Sequence, residues 1–310
     1  MNVQVTDQVL VLFLLMATGF LSYKLKITTK EAAAYFSSFV MKIPLPCMMF
    51  SSFLRPYTRE LLGEALFTLG IALVIYAFAF LLCLAYPYVL GIKGPERGVH
   101  RYVVLIPNSG LIGFPVIAAV MGPLFIFHAS MFCVPGSIMA FSAGLWLVAK
   151  EGKKAPVISW KFFASPLLIA TLIGFSLFLL EIRLPGPLEQ SIGMMGTATS
   201  PLAMAVIGIS IAQANIKQIL GRWRVYVTVA MRLLVIPALV GAVCYIAGLR
   251  GPFLMLPVIL CSMPAGSTTS IFSSVYDVAI EEAGSLVALS VILCSVTIPL
   301  VVIVVHFLGG

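Results

Sequence analysis

Two apolar segments of this chain contain, near their middles, residue types that can bind a small polar ligand inside a membrane. The first reads RYVVLIPNSGLIGFPVIAAVMG (101–122) and the second reads FLMLPVILCSMPAGSTTSIFSSV (253–275). Proline lacks an N–H group and glycine is conformationally permissive, so both residues interrupt a helix. The freed backbone N–H and C=O groups are costly in hydrocarbon unless they face a cavity, water or a ligand. We therefore predict that a substrate binds at these two interruptions.

The side chains around the interruptions can donate and accept hydrogen bonds. Asn108 offers an amide in the first segment, and the seven positions 264–270 of the second carry no large apolar side chain. The alternative is a pair of kinked helices, in which Asn108 bonds a neighbouring helix and the hydroxyls bond the preceding turn. The predicted substrate-binding residues at the interruptions are Asn108, Ser109, Gly110, Gly113, Pro115, Pro264, Gly266, Ser267, Thr268 and Thr269.

Three charged residues lie in or beside apolar segments. Lys42 lies about ten residues into its segment, where a charge costs about 2.5–3.5 kcal/mol. It either faces the cavity and attracts a carboxylate substrate, or extends its flexible stem to the interface. For Arg232 we expect extension to the interface or a structural pairing. Asp277 follows the second segment and is a candidate gating or coupling carboxylate, with a solvated loop acid as the alternative.

The composition indicates that membrane-spanning helices position these residues. Of 310 residues, 61% are apolar and 10% charged, and the mean hydropathy is +1.11, which excludes an ordinary soluble enzyme. The net charge of +8 resides mostly in short loops, where contact with the lipid bilayer explains it better than nucleic acid does. The first apolar run reads as a retained span rather than a signal peptide. Ten runs are long enough to span a bilayer: 6–23, 33–53, 65–90, 102–121, 124–149, 162–182, 192–213, 226–248, 253–275 and 284–308.

The distribution of basic residues predicts an orientation in the membrane. The odd-numbered connections contain thirteen Lys and Arg residues, among them Lys153, Lys154, Lys161 and Lys217, and the even-numbered connections contain four. Connections rich in Lys and Arg stay in the cytoplasm. We therefore predict a multi-pass protein of the plasma (inner cell) membrane, with odd-numbered loops in the cytoplasm and both termini outside.

The prolines predict an internal repeat. Residues 1–150 and 160–310 each contain five spans, and an odd number of spans requires that two equivalent halves be inverted relative to each other. Pro46, Pro107 and Pro135 match Pro201, Pro264 and Pro299 at offsets of 155, 157 and 164 residues. Inverted repeats with interrupted helices are typical of secondary transporters. The predicted fold is an all-α integral membrane protein of ten helices in two inverted five-helix repeats.

No catalytic or metal-binding motif stands out. The six cysteines and three histidines are scattered, without a CxxC pair, and read as buried thiols and isolated imidazoles. The sequence contains no Gly-x-Ser-x-Gly or His-Glu-x-x-His motif. We predict no metal, no cofactor and no enzymatic activity.

With these motifs in this order, the chain resembles the auxin efflux carrier family, which includes bacterial members and the plant PIN transporters. No single motif is highly specific, but together they cover essentially the whole chain. The residues that carry the resemblance are Leu45-Pro46, Asn108 to Pro115, Leu202-Ala203-Met204 with Gly208, Met263 to Phe272, Tyr276-Asp277-Val278 and Ile298-Pro299-Leu300.

The resemblance implies a fold similar to that of the sodium/bile-acid symporters, with helices 4 and 9 broken and crossing. A scaffold domain and a transport domain, each drawn from both repeats, move against each other in such carriers, which take small organic anions. The resemblance also implies a homodimer. Thr269 departs from the plant pattern, because plant members have the second crossing proline at that position. The third span also departs from it, because it contains no carboxylate and has only Glu64 at its edge.

The resemblance implies a carrier for small organic anions such as carboxylates. No acidic residue lies deep in a span, and export of an anion is downhill when the cell interior is negative, so we expect an uncoupled or weakly coupled efflux carrier. A carrier coupled to Na⁺ or H⁺ remains the main alternative, since the hydroxyls of Ser267 to Ser270 can hold a cation. A channel or receptor on the same scaffold is a third alternative.

Overall fold

The computed structural model describes residues 3–152, 165–214 and 221–309, and these residues are helical, with one isolated β-bridge and no strand. We number the α-helices in chain order; short π-helical turns at Ser109–Gly113, Ala140–Gly144 and Met231–Val235 precede α6, α8 and α13. The helices are α1 (Val3–Lys24), α2 (Lys30–Lys42), α3 (Pro44–Phe53), α4 (Arg59–Val89), α5 (Glu96–Leu105), α6 (Phe114–Val120), α7 (Ile126–Met139), α8 (Leu145–Ala149), α9 (Pro166–Leu179), α10 (Gly186–Thr197), α11 (Thr199–Gln213), α12 (Trp223–Ala230), α13 (Ile236–Ile246), α14 (Pro252–Cys261), α15 (Thr268–Tyr276) and α16 (Ile280–Gly309).

The predicted apolar runs are helical in the described part of the chain. Six helical segments there are long and apolar enough to cross a membrane, and four shorter apolar helices lie within the other predicted runs. The all-α membrane class is therefore confirmed, whereas the arrangement as ten helices in two inverted repeats stays a prediction. The start of the run 162–182 lies outside the described residues, as do Lys153, Lys154, Lys161 and Lys217 of the orientation argument.

The chain forms two compact units. The first comprises Met1–Gly70, Gly110–Val134 and Ala164–Gln213, and the second comprises Ile71–Ser109, Pro135–Phe163 and Ala214–Gly310. Each unit draws segments from both halves of the chain. This division concerns packing and does not test the repeat boundaries at 1–150 and 160–310, which stay a prediction.

In the first unit, α1 lies along α11 because small residues let the two backbones approach. Gly19 faces the carbonyl of Ala205 and Gly208 faces that of Met16, so closely that a Cβ at either glycine would collide with the backbone. Helix α3 packs on α9 and α10. A cluster that contains Phe53, Phe127 and Phe178 fills the core beside them.

The second unit contains both interruptions predicted from the sequence. Helix α5 ends at Leu105 because Ile106 is extended (φ −112°, ψ 112°) and Pro107 lacks an N–H group. Helix α14 ends at Cys261, and the chain resumes helical structure at Thr268. The π-helical turn Met231–Val235 lies between α12 and α13, just before Pro237, where an N–H is missing from the helical ladder. This turn carries Arg232.

Candidate functional site

The two interrupted segments of the second unit are bonded to each other. The Asn108 N–H donates to the carbonyl of Pro264 at 2.8 Å, and Pro107 and Ala265 form an isolated antiparallel bridge. The Ala265 N–H in turn donates to Ser290 Oγ of α16 at 3.1 Å. We call residues 106–109 and 262–267 together the junction. It brings Asn108, Ser109, Pro264, Gly266 and Ser267 of the predicted set into one place.

Gly266 lies beside Asn108 and Thr268. A Cβ built there would lie 3.1 Å from Thr268 Oγ1 and 3.9 Å from the Asn108 Cα. The first distance is tighter than an ordinary van der Waals contact and the second is an ordinary one. A side chain at position 266 would therefore require a small shift of the Thr268 side chain.

Arg232 is buried beside the junction and bonds backbone carbonyls there. Its side chain is 1% exposed, and its guanidinium donates to Cys261 O at 2.7 Å, to Val104 O at 2.9 Å and to Met263 O at 3.1 Å. These carbonyls belong to the ends of α5 and α14 or lie just beyond, where helical partners are missing. Arg232 therefore caps the carboxyl ends of both half-helices, so structural pairing is the correct alternative and extension to the interface is wrong.

A positive charge thus lies buried beside the junction. All three hydrogen bonds described for Arg232 go to carbonyl oxygens, and within the described ranges no carboxylate pairs with it. The carboxyl ends of α5 and α14, each with a partial negative charge, face Arg232 and offset part of its charge. Helix α15 begins at the junction with Thr268, so the positive end of its dipole lies there as well. The positive groups at the junction are thus the Arg232 guanidinium and the amino end of α15.

The hydroxyls of the predicted set divide into bonded and unbonded groups. Thr268 is half-buried, and its Oγ1 accepts a hydrogen bond from the Tyr102 hydroxyl at 3.0 Å. Ser109 and Thr269 are 7% and 0% exposed, and their oxygens have no hydrogen-bond partner among the described residues. Ser267 is exposed. Buried polar atoms in native proteins nearly always have a partner, so these two oxygens mark positions where a ligand or water can bond.

The remaining members of the predicted set belong to the first unit. Gly113 and Pro115 are buried where the π-helical turn meets α6, and Gly110 faces the side chains of Leu45 and Leu167. Lys42 is the last residue of α2 and is exposed, and α3 begins two residues later at Pro44. Whether its ammonium group faces the cavity stays a prediction.

Asp277 lies at a separate place in the second unit. It is exposed, ends α15 in a left-handed conformation (φ 56°), and lines a cavity of about 550 Å³ together with Arg222, Glu281 and Glu282. The Arg222 guanidinium donates to one oxygen of each glutamate at 2.7 Å. These hydrogen bonds, first that to Glu282 and then that to Glu281, raise the pKa of Arg222. The charges at this cavity are therefore largely paired.

Sequence reasoning missed two buried side chains of the second unit. From the sequence we assigned Glu282 no role and interpreted all three histidines as isolated imidazoles, yet Glu282 and His100 are 5% and 0% exposed and bonded at 3.1 Å. The i,i+3 or i,i+4 spacing that reveals neighbours on one helix is absent, because the pair is 182 residues apart in sequence. In the first unit, Glu64 bonds His128 at 3.0 Å, a pairing that was likewise not predicted.

The junction combines the side-chain amide of Asn108, two hydroxyls without a described partner and a buried guanidinium. Groups of this kind can donate hydrogen bonds to a small anion. Within the described residues, no group of three or more His, Cys, Asp and Glu side chains is arranged to hold a metal ion.

Comparison with known proteins adds the family context. A family model described as "Membrane transport protein" matches residues 4–159 and 153–302. An "Uncharacterized transporter" of Methanothermobacter thermautotrophicus is 23% identical over 299 residues, which cover 95% of this chain and 96% of that protein. A protein of Rhizobium meliloti named "Putative malonate transporter" is 24% identical over 307 residues, with 95% and 94% covered.

A more limited match connects the chain to a plant protein. "Auxin efflux carrier component 3a" of rice (Oryza sativa subsp. japonica) is 27% identical over 127 residues, which cover 39% of this chain and 21% of the rice protein. The resemblance to auxin efflux carriers is thereby confirmed at the level of the family.

Proposed function

The chain belongs to the membrane transport protein family, and from this premise we propose that it is a carrier for small carboxylates with its substrate site at the junction. It is a multi-pass membrane transporter and not an enzyme. The substrate class, the site and the direction of transport are the proposal.

The main observation that supports the proposal is that Arg232 bonds backbone carbonyls at both interruptions. Its guanidinium bonds three carbonyls, one of them that of Met263. The carbonyl of the next residue, Pro264, accepts a hydrogen bond from the backbone N–H of Asn108. A carboxylate at the junction can accept hydrogen bonds from the Asn108 side-chain amide and from the Ser109 and Thr269 hydroxyls. The buried charge favours binding of an anion over a neutral molecule of the same size.

The names of the relatives agree with this chemistry. One is named for malonate, a dicarboxylate, and another for auxin, an aromatic carboxylate. A shared site for such different molecules has to recognise their common group, the carboxylate, and to tolerate what is attached to it. An amide, hydroxyls and a buried cation are suited to that task.

The mechanism we propose is elevator-like alternating access, in which the substrate moves with a transport domain past a scaffold domain. Export is the expected direction, since each negative charge that leaves a cell gains about 2.3 kcal/mol per 100 mV of membrane potential. We place the protein in the plasma membrane with both termini outside, and we expect a homodimer.

Coupling to Na⁺ or H⁺ is the second candidate. It is favoured by the polar run Ser267–Ser270, in which the Thr269 hydroxyl is fully buried and lacks a described partner. Hydroxyl and carbonyl oxygens coordinate Na⁺ in other carriers.

The test is flux into and out of proteoliposomes that contain the full-length chain. Labelled malonate and an indole carboxylate are compared at imposed membrane potentials, with and without a Na⁺ gradient. The variants are Asn108→Ala, the double variant Lys42→Ala/Asn108→Ala, and Gln190→Ala, which removes an exposed amide in α10 as the matched control.

We expect potential-driven flux that Asn108→Ala lowers at least about tenfold and that Gln190→Ala leaves unchanged. A further loss in the double variant would place Lys42 at the substrate, and no further loss would assign it to the interface. Flux that requires a Na⁺ gradient would support the coupled carrier. Absence of flux for every carboxylate would reject the substrate class.

A further inference from the structure

A second polar cluster lies in the second unit away from the junction, and its centre is His100 of α5. His100 Nδ1 lies 2.7 Å from Thr228 Oγ1 of α12, and Nε2 lies 3.1 Å from Glu282 Oε1 of α16. His100 and Thr228 are 0% exposed and Glu282 is 5% exposed. Two titratable side chains are therefore buried in direct contact.

The hydrogen bonds around Thr228 constrain the protonation of His100. The Thr228 hydroxyl donates its single proton to the Arg224 carbonyl at 2.8 Å and accepts from the Tyr86 hydroxyl at 2.9 Å. In that arrangement Oγ1 can only accept from His100, so Nδ1 carries a proton. Nε2 and Glu282 must then share a second proton, because two lone pairs facing each other at 3.1 Å would repel.

Release of one proton requires only a small rearrangement. If the Thr228 hydroxyl turns from the Arg224 carbonyl to Nδ1, a neutral imidazole keeps its Nε2–H bond to the Glu282 carboxylate. The net change is one proton from the imidazolium to solvent. Both arrangements leave His100 bonded to Thr228 and Glu282.

The cluster has a route to solvent. The second oxygen of Glu282 accepts from Arg222, and both side chains line the cavity of about 550 Å³ that also contains Asp277. Arg222 is 33% exposed and its other partner, Glu281, is 86% exposed. The titratable and charged groups around the pair on all neighbouring elements are Tyr86, Glu96, Arg101, Arg222, Arg224, Asp277 and Glu281.

Each member of the cluster lies on a helical segment that leads to the junction or to a residue bonded to it. His100 precedes Pro107 by seven residues, about 10 Å along the chain direction of a helix. Thr228 lies one turn before Arg232, which caps both half-helices. Glu282 lies eight residues before Ser290, which accepts the Ala265 N–H. The cluster and the junction thus share three supporting segments of the chain.

We propose that His100 and Glu282 form a proton-binding site, reached from the cavity beside Arg222, whose occupancy is linked to transport at the junction. This rests on the proposed carrier function in its second form, coupling to an ion, and specifies that ion as H⁺. Because linkage is reciprocal, substrate binding at the junction changes proton binding at His100 by the same factor.

The proton site is tested first without transport. The full-length chain, labelled with ¹⁵N-histidine and held in lipid nanodiscs, is titrated between about pH 5 and 9, with His100→Gln used to assign the resonance. We expect His100 to change protonation within this range, and Glu282→Gln to lower its protonated fraction at neutral pH. The matched control is Glu281→Gln, which removes the neighbouring acid that bonds Arg222 but not His100. A His100 that keeps one protonation state throughout would overturn the site.

Linkage is tested in proteoliposomes with a trapped pH dye and malonate as the probe, at zero membrane potential. We expect malonate flux to carry protons, Glu282→Gln to reduce proton flux at least about tenfold, and Glu281→Gln to change it less than about twofold. Malonate flux without proton movement in the wild type would overturn the linkage and leave the carrier function standing. Absence of malonate flux would count against the carrier function, and the spectroscopic titration would still decide the proton site.

Discussion

Arg222 and Arg232 lie ten residues apart on one helical stretch of the second unit, and they are stabilised in opposite ways. Arg222 is one-third exposed and pairs with the carboxylates of Glu281 and Glu282. Arg232 is 1% exposed and bonds only carbonyls in the structure as described. At the first site one guanidinium is shared by two carboxylates, whereas at the second the guanidinium is held by backbone carbonyls.

Under the proposed function, the junction is the region that binds the anion. A carboxylate partner for Arg232 would compete with an incoming anion. Three carbonyls instead satisfy the guanidinium and complete the ends of two helices, so no carboxylate among the described residues occupies that position. In the cavity beside Arg222, charges of opposite sign are already paired. That cavity therefore suits proton exchange better than binding of a second anion.

The largest effect is expected from Arg232→Met, which removes the charge and leaves three carbonyls without their donor. Buried polar groups that lose a partner cost about 1–3 kcal/mol each. We expect a large drop in the thermal unfolding temperature in detergent and loss of at least about a hundredfold in carboxylate flux. Arg250→Met is the matched control, because Arg250 also donates to carbonyls but is exposed. Equal effects of the two substitutions would reject the special role of the buried site.

A smaller effect is expected from Arg232→Lys, which keeps the charge but not the planar fork of donors. The lysine ammonium cannot reproduce three separate bonds to Cys261, Val104 and Met263. We expect a folded protein with flux lowered about tenfold and an unchanged preference for anions over neutral analogues, measured by competition. If the preference disappears, the positions of the half-helices rather than the charge select the substrate.

Thr269→Val tests the unbonded hydroxyl at the junction. Because Thr269 Oγ1 has no described protein partner, its loss is expected to change the unfolding temperature very little. The apparent affinity for malonate should fall about threefold to tenfold if the hydroxyl bonds the substrate. Thr197→Val, at an exposed position of α10, is the control and should affect neither quantity. Unchanged affinity would remove Thr269 from the site.

The smallest effect is expected from Arg222→Gln. The pair with Glu281 is exposed and stabilises the protein by about 0–1 kcal/mol, whereas the Glu282 side chain is 6% exposed and keeps His100 as its remaining partner. We therefore expect a smaller fall in unfolding temperature than for Arg232→Met. Apparent malonate affinity at neutral pH should stay within about twofold of the wild type, because this charge is already paired. An affinity loss as large as that of Arg232→Lys would contradict the contrast between the two arginines.

Much of the local structure could be predicted from the residues themselves. The ends of α5 and α14 follow from Pro107 and from the run of small and polar residues around Pro264, because proline and glycine act through local sterics and missing N–H groups. Asn108, Gly266 and Thr269 could be selected for the same reason. Arg232 was recognised as a charge that needed a partner, but its partner could not be named.

The sequence by itself determined the helical membrane class, the interruptions and the residue types available at them, since apolar run length and backbone sterics are local properties. The tertiary structure alone decided that Asn108 meets Pro264, that Arg232 reaches a carbonyl 128 residues away, and that His100 meets Glu282 across 182 residues. Those pairings depend on how helices pack, and no periodicity along the chain records which distant faces come together. The physical reason is that a buried charge or hydroxyl needs a hydrogen-bond partner, and the packing of the helices decides which distant group is close enough to be one.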